Sequence, residues 1–415
     1  MSSITHLAFA QGLSRLHWLV LLVGLSMLLA GILLPPDDPI HVAPANGDEH
    51  IGPEVTGIQS GSGSVKYANE DTYVGEFSRG MFHGMGTYTW SDASQYTGEF
   101  QAGRFHGTGK YRYASGQTYQ GEFADDLFEG KGMYVEKSSV EESDGDKHGH
   151  QYQGEFHLGK FHGKGTYTWE DGRIYEGDFV KGVRSGEALM TWPNNDSYHG
   201  TFRNNKFHGK GLRSWNTGDR YEGDFKDGKM NGQGTFSAKD GSIYQGEFSA
   251  DLISGKGTMT WPSGDKYDGE FVDGQFHGQG TRVFVNDSEY TGQFFQGVMQ
   301  GQGTRKWLNG NQYTGDFLNG NFHGKGTATF ANGDTYSGEF SAGKPHGKGT
   351  KIWSSGKRYE GSWLNGRRHG KGVEIFANGD RYDGAFANNR FHGEGWCFFS
   401  GELAECKFNK GKRVN

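Results

Sequence analysis

The sequence predicts an all-β chain: an elongated antiparallel β-hairpin solenoid of about 14 repeats, preceded by one transmembrane α-helix. Three observations carry this. Tyrosines recur every 23 residues through most of the chain. Glycine supplies 72 of 415 residues and aromatics 14%, against only 33% hydrophobics. Residues 16–34 contain no Lys, Arg, Asp or Glu. Low hydrophobicity alone marks a disordered chain, but disordered chains lack aromatics. Rings and glycines at fixed spacing mark a repetitive β structure instead.

Residues 1–15 form a short N-terminal tail. Residues 16–34, LHWLVLLVGLSMLLAGILL, suit a helix of roughly 28 Å, about one hydrocarbon core. Trp18 lies near one end, where interfacial aromatics collect. The competing reading is a cleaved signal peptide, but the run is long and no clear small-x-small site follows it. The expectation is therefore an uncleaved signal anchor that binds the bilayer through residues 16–34. Arg15 precedes the span and Asp37 and Asp38 follow it, which favours a cytoplasmic N-terminus and an exported remainder. Residues 35–60 hold five of the eight prolines, several acids and no hydrophobic period, so they read as a semi-extended linker.

The repeats fill residues 61–408. Tyrosines stand at 73, 96, 119, 152, 175, 198, 221, 244, 267, 290, 313, 336, 359 and 382. The one longer step contains the acidic insert 138–147, SSVEESDGDK, which reads as a solvated loop. A half-unit precedes the array and a degenerate strand, residues 403–408, follows it. With each tyrosine as position 1, position 3 is always Gly and position 5 always aromatic. Position 12 is always Gly, and position 14 is Gly except at Ala188. Position 15 is usually Thr and position 18 often Trp or Phe. Period two puts Tyr, Gly and Phe on one strand face and positions 14, 16 and 18 on one face of the next. Glycine at position 3 leaves room for a ring against the backbone.

Two kinds of break separate the strands. Asp171-Gly172, Asp240-Gly241, Asn309-Gly310, Asn332-Gly333 and Asn378-Gly379 are hairpin signals in which both residues tolerate positive φ. Position 8 is Gly, Asn or Asp throughout, the residues that visit the left-handed region. Each unit is then a hairpin in one long meander. Two strands per unit advance the sheet by about 9.6 Å, giving a ribbon on the order of 130 Å. No unit covers its own rings, so stability is a nearest-neighbour sum.

The pattern resembles the MORN (membrane occupation and recognition nexus) repeat, Tyr-x-Gly-x-Phe followed by x-x-Gly-x-x-His-Gly-x-Gly-Thr. Here it is written YQGEFHLGKFHGKGTYTW from Tyr152 to Trp169. The resemblance implies a β-hairpin solenoid used for scaffolding, self-association or attachment to membranes, and no activity of its own. Separately, LSRLHW…LLPP, residues 13–36, resembles the N-terminal inner-membrane segment of opacity-associated-protein-like and cell-wall peptidase proteins. Those commonly carry Leu-Pro-x-x-His before the helix, and Ser14 replaces that proline here. That resemblance implies a bacterial inner-membrane protein, single-pass, with its repeats in the periplasm.

Several columns imitate chemistry. Position 11 is His at 83, 106, 162, 208, 277, 323, 346, 369 and 392. Neighbouring units lie about 10 Å apart, too far to share a zinc ligated at about 2 Å, so a hydrogen-bonding turn residue is expected and no metal. Position 4 is acidic in ten units: Glu76, Glu99, Glu122, Glu155, Asp178, Asp224, Glu247, Glu270, Asp316 and Glu339. Ten equivalent acids do not make one active site, and lysines at position 13 (Lys164, Lys210, Lys325, Lys348) suggest a solvated face of alternating charge. Gly-Lys-Gly-Thr lacks the Gly-Lys-Ser/Thr of a phosphate loop. No catalytic residue and no cofactor is expected, and the chain reads as a non-enzyme.

Charge is uneven. Residues 341–415 hold 14 of the 42 basic residues but only 7 of the 49 acids. The overall charge of −7 argues against nucleic acid. Lys357, Arg358, Arg367, Arg368, Lys371, Arg381 and Arg390 cluster in the last two units, and a basic tail, residues 409–415, closes the chain. They form either a charged guard on the last edge strand or a site for an anionic partner. Cys397 and Cys406 pair directly across the final hairpin if Gly401-Glu402 is its turn, at a distance that suits a disulfide. The expected function is a membrane-anchored, non-catalytic scaffold with protein partners, in which self-association to a homo-oligomer is open. The alternatives are binding of anionic lipid through the basic units and binding of cell-wall glycan on exposed rings.

Overall fold

A computed structural model of the chain describes residues 49–51, 60–137 and 148–414. The tail, the anchor at 16–34, most of the linker and the insert at 138–147 lie outside the described residues. Among the described residues there are strands and no helix, so none is long and apolar enough to cross a membrane. The chain divides into two units, residues 1–230 and 231–415.

In the first unit, strands from Gly61–Lys66 to Arg220–Lys226 each pair antiparallel with their sequence neighbours. Part of the expected linker joins them: Glu49–Ile51 pairs with Gly61–Lys66, Glu49 opposite Lys66. The second unit repeats the meander to its end. There the basic tail folds back, Lys412–Arg413 pairing with Glu402–Asn409.

One register serves every unit. In the fourth, Tyr152 faces Tyr167, Gly154 faces Gly165 and Phe156 faces Phe161. The next strand continues it, with Gly165 opposite Gly177 and Lys164 opposite Asp178. A bulge lies between His162 and Gly165, where the ladder slips. It restores the aromatic face on both sides of the turn despite the odd spacing.

The two turns exchange the roles their sequences suggest. At positions 7 and 8 both residues are left-handed: Lys181 (φ 50°) with Gly182 (φ 82°), Asn204 (φ 50°) with Asn205 (φ 65°). That is the two-residue turn whose twist matches paired strands. At Asp171-Gly172 only Gly172 is left-handed, φ 84°. This turn is longer, closed by Gly172 N–H to Trp169 O and Trp169 N–H to Arg173 O, both 2.9 Å. Asp171 is needed for its side chain, which accepts the Arg173 N–H at 3.1 Å. The Asx contact explains Asn or Asp at that position without any positive φ.

The core is a single-sided stack of rings. Tyr152 lies flat on Phe161, centroids 3.9 Å apart, and meets the edges of Phe156 and Phe179 at 5.1 and 5.2 Å. Phe179 belongs to the next unit, so each tyrosine stitches two repeats. Its hydroxyl donates to Glu155 O at 2.8 Å, which satisfies the buried phenol. The ring fits only because two glycines lie beneath it. A Cβ on Gly154 would stand 2.6 Å from the Tyr152 hydroxyl, and one on Gly165 at 2.5 Å.

Candidate functional site

The acidic column is structural before it is anything else. The bulge leaves the position 13 N–H without a ladder partner, and the position 4 carboxylate bends over Gly at position 12 to accept it. Glu99 takes Thr108 N–H at 2.9 Å and its hydroxyl at 2.8 Å. Glu122 takes Lys131 N–H at 3.0 Å, and Asp316 takes Lys325 N–H at 2.9 Å. The donated backbone hydrogen bond of Thr108 holds the Glu99 carboxyl below the usual range. Lysines at position 13 then pair with the next unit's acid, Lys164 with Asp178 and Lys210 with Asp224, each at 2.8 Å. The sequence shows the alternation of charge but not the bulge that requires it.

The histidine column contributes mainly through its backbone. The carbonyls of His106 and His162 lie 3.4 and 3.2 Å from the tyrosine hydroxyls of their units. The ring Nδ1 atoms of His162, His208 and His346 are buried without a partner among the described residues, whereas His392 Nδ1 accepts the Lys410 N–H at 3.4 Å. Among those residues no three His, Cys, Asp or Glu side chains converge as metal ligands. In the third unit Glu129 replaces the histidine. It accepts His157 Nδ1–H at 2.8 Å and Leu158 N–H at 3.0 Å beside Glu122, Glu155 and His162.

A column missed in the sequence runs through position 22. Asp196 Oδ1 accepts Asn216 N–H at 2.8 Å, twenty residues on, and Asp334 Oδ1 accepts Ser354 N–H at 3.0 Å. The same acids take the tip of position 16 in the following unit. Asp71 accepts the Tyr88 hydroxyl at 2.8 Å and Asp334 pairs with Lys351 at 3.2 Å; where Ser288 holds position 22, Asp287 beside it pairs with Arg305 at 2.8 Å. The signal was present as a recurring acid 21 residues after the tyrosine. Along position 18, partly buried rings interleave with these cations: Arg282 lies 5.0 Å over Trp261 and 4.7 Å over Phe284, and Arg305 lies 5.0 Å over Trp307.

The seven basic residues of the last units do not form one patch. Lys357 and Arg368 turn to the ring side and pair with buried Glu374, Lys357 at 3.2 Å. Arg368 Nη2 also donates to Asn389 O at 2.6 Å. The other five lie on the opposite face. Arg358 pairs with Glu360 at 2.5 Å and Arg381 with Asp383 at 2.8 Å. Arg367 reaches Asn388 at 3.5 Å. Lys371 and Arg390 are exposed, and Lys371 faces Ala385 where other units place an acid. Lys348 likewise faces Ser362, 3.1 Å away.

Cys397 and Cys406 are buried and disulfide-bonded, Cα atoms 5.9 Å apart. Their register differs from the expected one. The turn is Ser400-Gly401, so Cys397 faces Ala404 and Cys406 faces Gly395. The bond is diagonal, between residues on one face two places out of register.

The MORN repeat model matches fourteen consecutive segments, residues 73–95, 96–118, 119–135, 152–172, 175–197, 198–220, 221–243, 244–266, 267–289, 290–312, 313–335, 336–358, 359–381 and 382–401. The chain belongs to the MORN repeat family. No curated protein matches the MORN chain. Among solved structures it is similar to the G-box domain of the microcephaly protein CPAP, at 10% identity over 53% of this chain and 97% of that one, TM-score 0.18. The TCP10 domain of Danio rerio CPAP matches at 9% identity over 60% and 92%, TM-score 0.15. Virginiamycin B lyase from Staphylococcus aureus matches at 11% over 82% and 98%, TM-score 0.12. Likenesses at these scores carry nothing over to the MORN chain.

Proposed function

We propose that this MORN protein is a membrane-anchored, non-catalytic scaffold that displays the sheet face opposite its rings to protein partners. The observation that supports the reading is how completely the fold uses the invariant side chains. Tyrosine hydroxyls, position 4 acids and position 22 acids are each engaged within the repeats. What varies between units, positions 2, 6, 9, 13 and 15, is on the outward face, where a partner reads it. Anchoring through residues 16–34, with the N-terminus cytoplasmic and the repeats periplasmic, rests on the sequence. It is tested by protease added to intact and to permeabilised cells. Repeats cleaved in intact spheroplasts support export; repeats cut only after inner-membrane lysis sink it.

A second reading is favoured by a local departure from the repeat. Ser362 and Ala385 remove two acids from the outward face opposite Lys348 and Lys371. Near them Ile352, Trp396, Phe398 and Leu403 are exposed by 44%, 50%, 40% and 68%. Apolar side chains within a basic rim suit an anionic lipid surface. Residues 61–415 should float with anionic vesicles and not neutral ones at low salt, and Lys371→Ser with Trp396→Ser should abolish it. Absence of binding leaves the scaffold reading alone. A glycan would stack on exposed rings such as Phe295, Phe330 and Trp396, since the aromatic columns at positions 1 and 5 are buried.

A further inference from the structure

The array builds the same cluster of rings and cations twice, and closes it with a carboxylate only once. In residues 231–415 the cluster centres on Arg368, at repeat position 10. Its guanidinium lies over Trp353, Tyr359 and Phe386 at 5.7, 5.5 and 5.4 Å. Its backbone N–H donates to Asn389 Oδ1 at 2.8 Å and its Nη2 to Asn389 O at 2.6 Å. A second cation, Lys357 at position 22 of the preceding repeat, lies 4.2 Å over the same Trp353. Glu374, at position 16 and 2% exposed, joins the two cations. One oxygen takes Arg368 Nη1 and the other takes Lys357 Nζ at 3.2 Å.

In residues 1–230 the counterparts stand at the same repeat positions. Arg184 lies over Trp169, Tyr175 and Phe202 at 5.2, 5.6 and 5.6 Å. Its N–H donates to Asn205 Oδ1 at 2.9 Å and its Nη2 to Asn205 O at 3.1 Å. Arg173, at position 22, lies 5.0 Å over Trp169. Position 16, where the other cluster has its glutamate, is Met190. Arg184 Nη1 meets the Met190 sulfur at 3.6 Å, and a thioether is a weak acceptor. Among the described residues no carboxylate pairs with Arg184, and Arg173 pairs with Asp171 of its own turn at 2.7 Å. Desolvation lowers Arg184 to about 10.

We propose that the Trp169 cluster is a docking site for a glutamate or aspartate side chain of a protein partner, whose carboxylate does at Arg184 and Arg173 what Glu374 does at Arg368 and Lys357. Three observations carry this. The first is the twin. The ring, both cations and the asparagine that holds the arginine are kept, so the carboxylate is the one member that the sequence does not supply. The chain fills the twin with a glutamate, and a guanidinium fork suits that group. The second is charge. Position 22 is an acid at Asp196 and Asp334, where it accepts an N–H twenty residues on. Twenty residues after Arg173 stands Pro193, which has no N–H to offer, so a cation takes the acid's place without loss to the fold. The third is access. Trp169 and Arg184 are partly exposed, and the Arg173 side chain is 20% exposed. Met190 is unbranched, so its sulfur can yield Nη1 to an entering oxygen. The inference rests on the scaffold reading only in taking its occupant from a protein; neither the anchor nor the outward face enters it.

The test is isothermal titration calorimetry of hexaglutamate into the full chain in detergent, at fixed ionic strength, with hexaglutamine as the uncharged comparison. Hexaglutamate should bind and hexaglutamine should not. Met190→Glu supplies the carboxylate from within, so it should weaken hexaglutamate binding at least about tenfold while the melting midpoint holds. Glu374→Met should do the reverse and add a second site, and circular dichroism reports whether that variant folds. Absence of binding overturns the proposal, as does binding that Met190→Glu leaves intact. A midpoint that falls well below that of the unsubstituted chain in Met190→Glu also overturns it, since the cluster then does not accommodate a carboxylate. Sulfate or glucuronate that competes as well as hexaglutamate overturns the choice of a protein side chain and assigns the site to a free oxyanion or an acidic sugar. Failure of the protease test, or of the changes at Lys371 and Trp396, leaves every one of these outcomes unchanged, so the two readings fail separately.

Discussion

The tightest constraint in the repeat is the space under each tyrosine, and Gly165→Ala measures it. The new Cβ would stand 2.5 Å from the Tyr152 hydroxyl and Cε2 and 2.6 Å from Cζ. Ordinary contact needs more than a further 1 Å, so the ring must move by about that much. It has little freedom to do so. Phe161 is stacked on it at 3.9 Å, the edges of Phe156 and Phe179 flank it, and its hydroxyl is tied to Glu155 O at 2.8 Å. Overpacking of this kind costs about 1–3 kcal/mol, and the displaced buried hydroxyl about 1 kcal/mol more. The sum, about 3 kcal/mol, should fall on the fourth unit and its neighbours, because contacts in such an array are local. Native-state hydrogen exchange read at the amides of residues 152–168 gives that local figure, where a global midpoint would dilute it. The fifth unit supplies the control. It alone has alanine at position 14, Ala188, and it has Arg184 where the fourth has Phe161. Without a ring stacked from behind, Tyr175 can give way. Phe161→Arg should therefore offset part of the Gly165→Ala cost, with a coupling of about 1 kcal/mol in a double-mutant cycle. A loss under about 1 kcal/mol, or strict additivity, would refute the argument that glycine is there to seat the ring.

Three further outcomes follow from the same contacts. Glu99→Ala removes the cap on the Thr108 N–H; the site is exposed, so the cost should be about 1 kcal/mol, with faster exchange at Thr108 and little elsewhere. In the unsubstituted chain the Glu99 carboxyl is held low, so its contribution is present above about pH 4 and is lost on further acidification. Burial pushes Tyr290 and Tyr359 up to about 12, so the unfolded chain ionises first; stability should be full below about pH 10 and be lost as pH rises toward 12, with tyrosinate absorbance appearing together with unfolding. Cys397→Ser with Cys406→Ser should cost about 2 kcal/mol, seen as exchange confined to residues 390–413, and unchanged exchange there would show that the bond fastens nothing.

How much of this was legible depends on whether a contact is made along a strand or across a turn. The ring face could be read, because Tyr152, Gly154 and Phe156 follow period two within one strand. The hairpins could be read too, since only Gly, Asn and Asp occupy position 8. The stacked Phe161 could not, because the bulge between His162 and Gly165 shifts the parity of everything after the turn. The same bulge hid the use of Glu155, whose carboxylate serves a backbone N–H nine residues away, Lys164 at 3.3 Å. The Asn-Gly and Asp-Gly pairs named a turn correctly and its type wrongly, since an Asx side-chain contact and a positive φ select the same residues. The cysteines were placed two residues out of register because Glu402 was taken into a turn that Ser400 begins.

The departures from the repeat carry the information a binding partner would use, and they are ordered along the chain. Position 16 is tyrosine at 88, 111, 134 and 167, then Arg213, Arg282, Arg305 and Lys351 later, and an acid of the preceding turn meets members of both groups: Asp71 under Tyr88, Asp287 under Arg305, Asp334 under Lys351. A phenol and a guanidinium both satisfy a carboxylate there, so the fold tolerates the exchange, and the cations lie over the position 18 rings beside them, Arg282 over Trp261 and Arg305 over Trp307. In the last units the outward face changes as well, as Thr281, Thr304 and Thr327 give way to Val373 and Trp396 at position 15. The threonines bond across strands, Thr304 to Thr314 at 3.0 Å, and stabilise only the sheet. Trp396 is half exposed where those threonines bond across the sheet. A residue that costs solubility and contributes little to folding points to contact with something else, which places the first mutagenesis at Trp396 and Lys371 rather than at any invariant column.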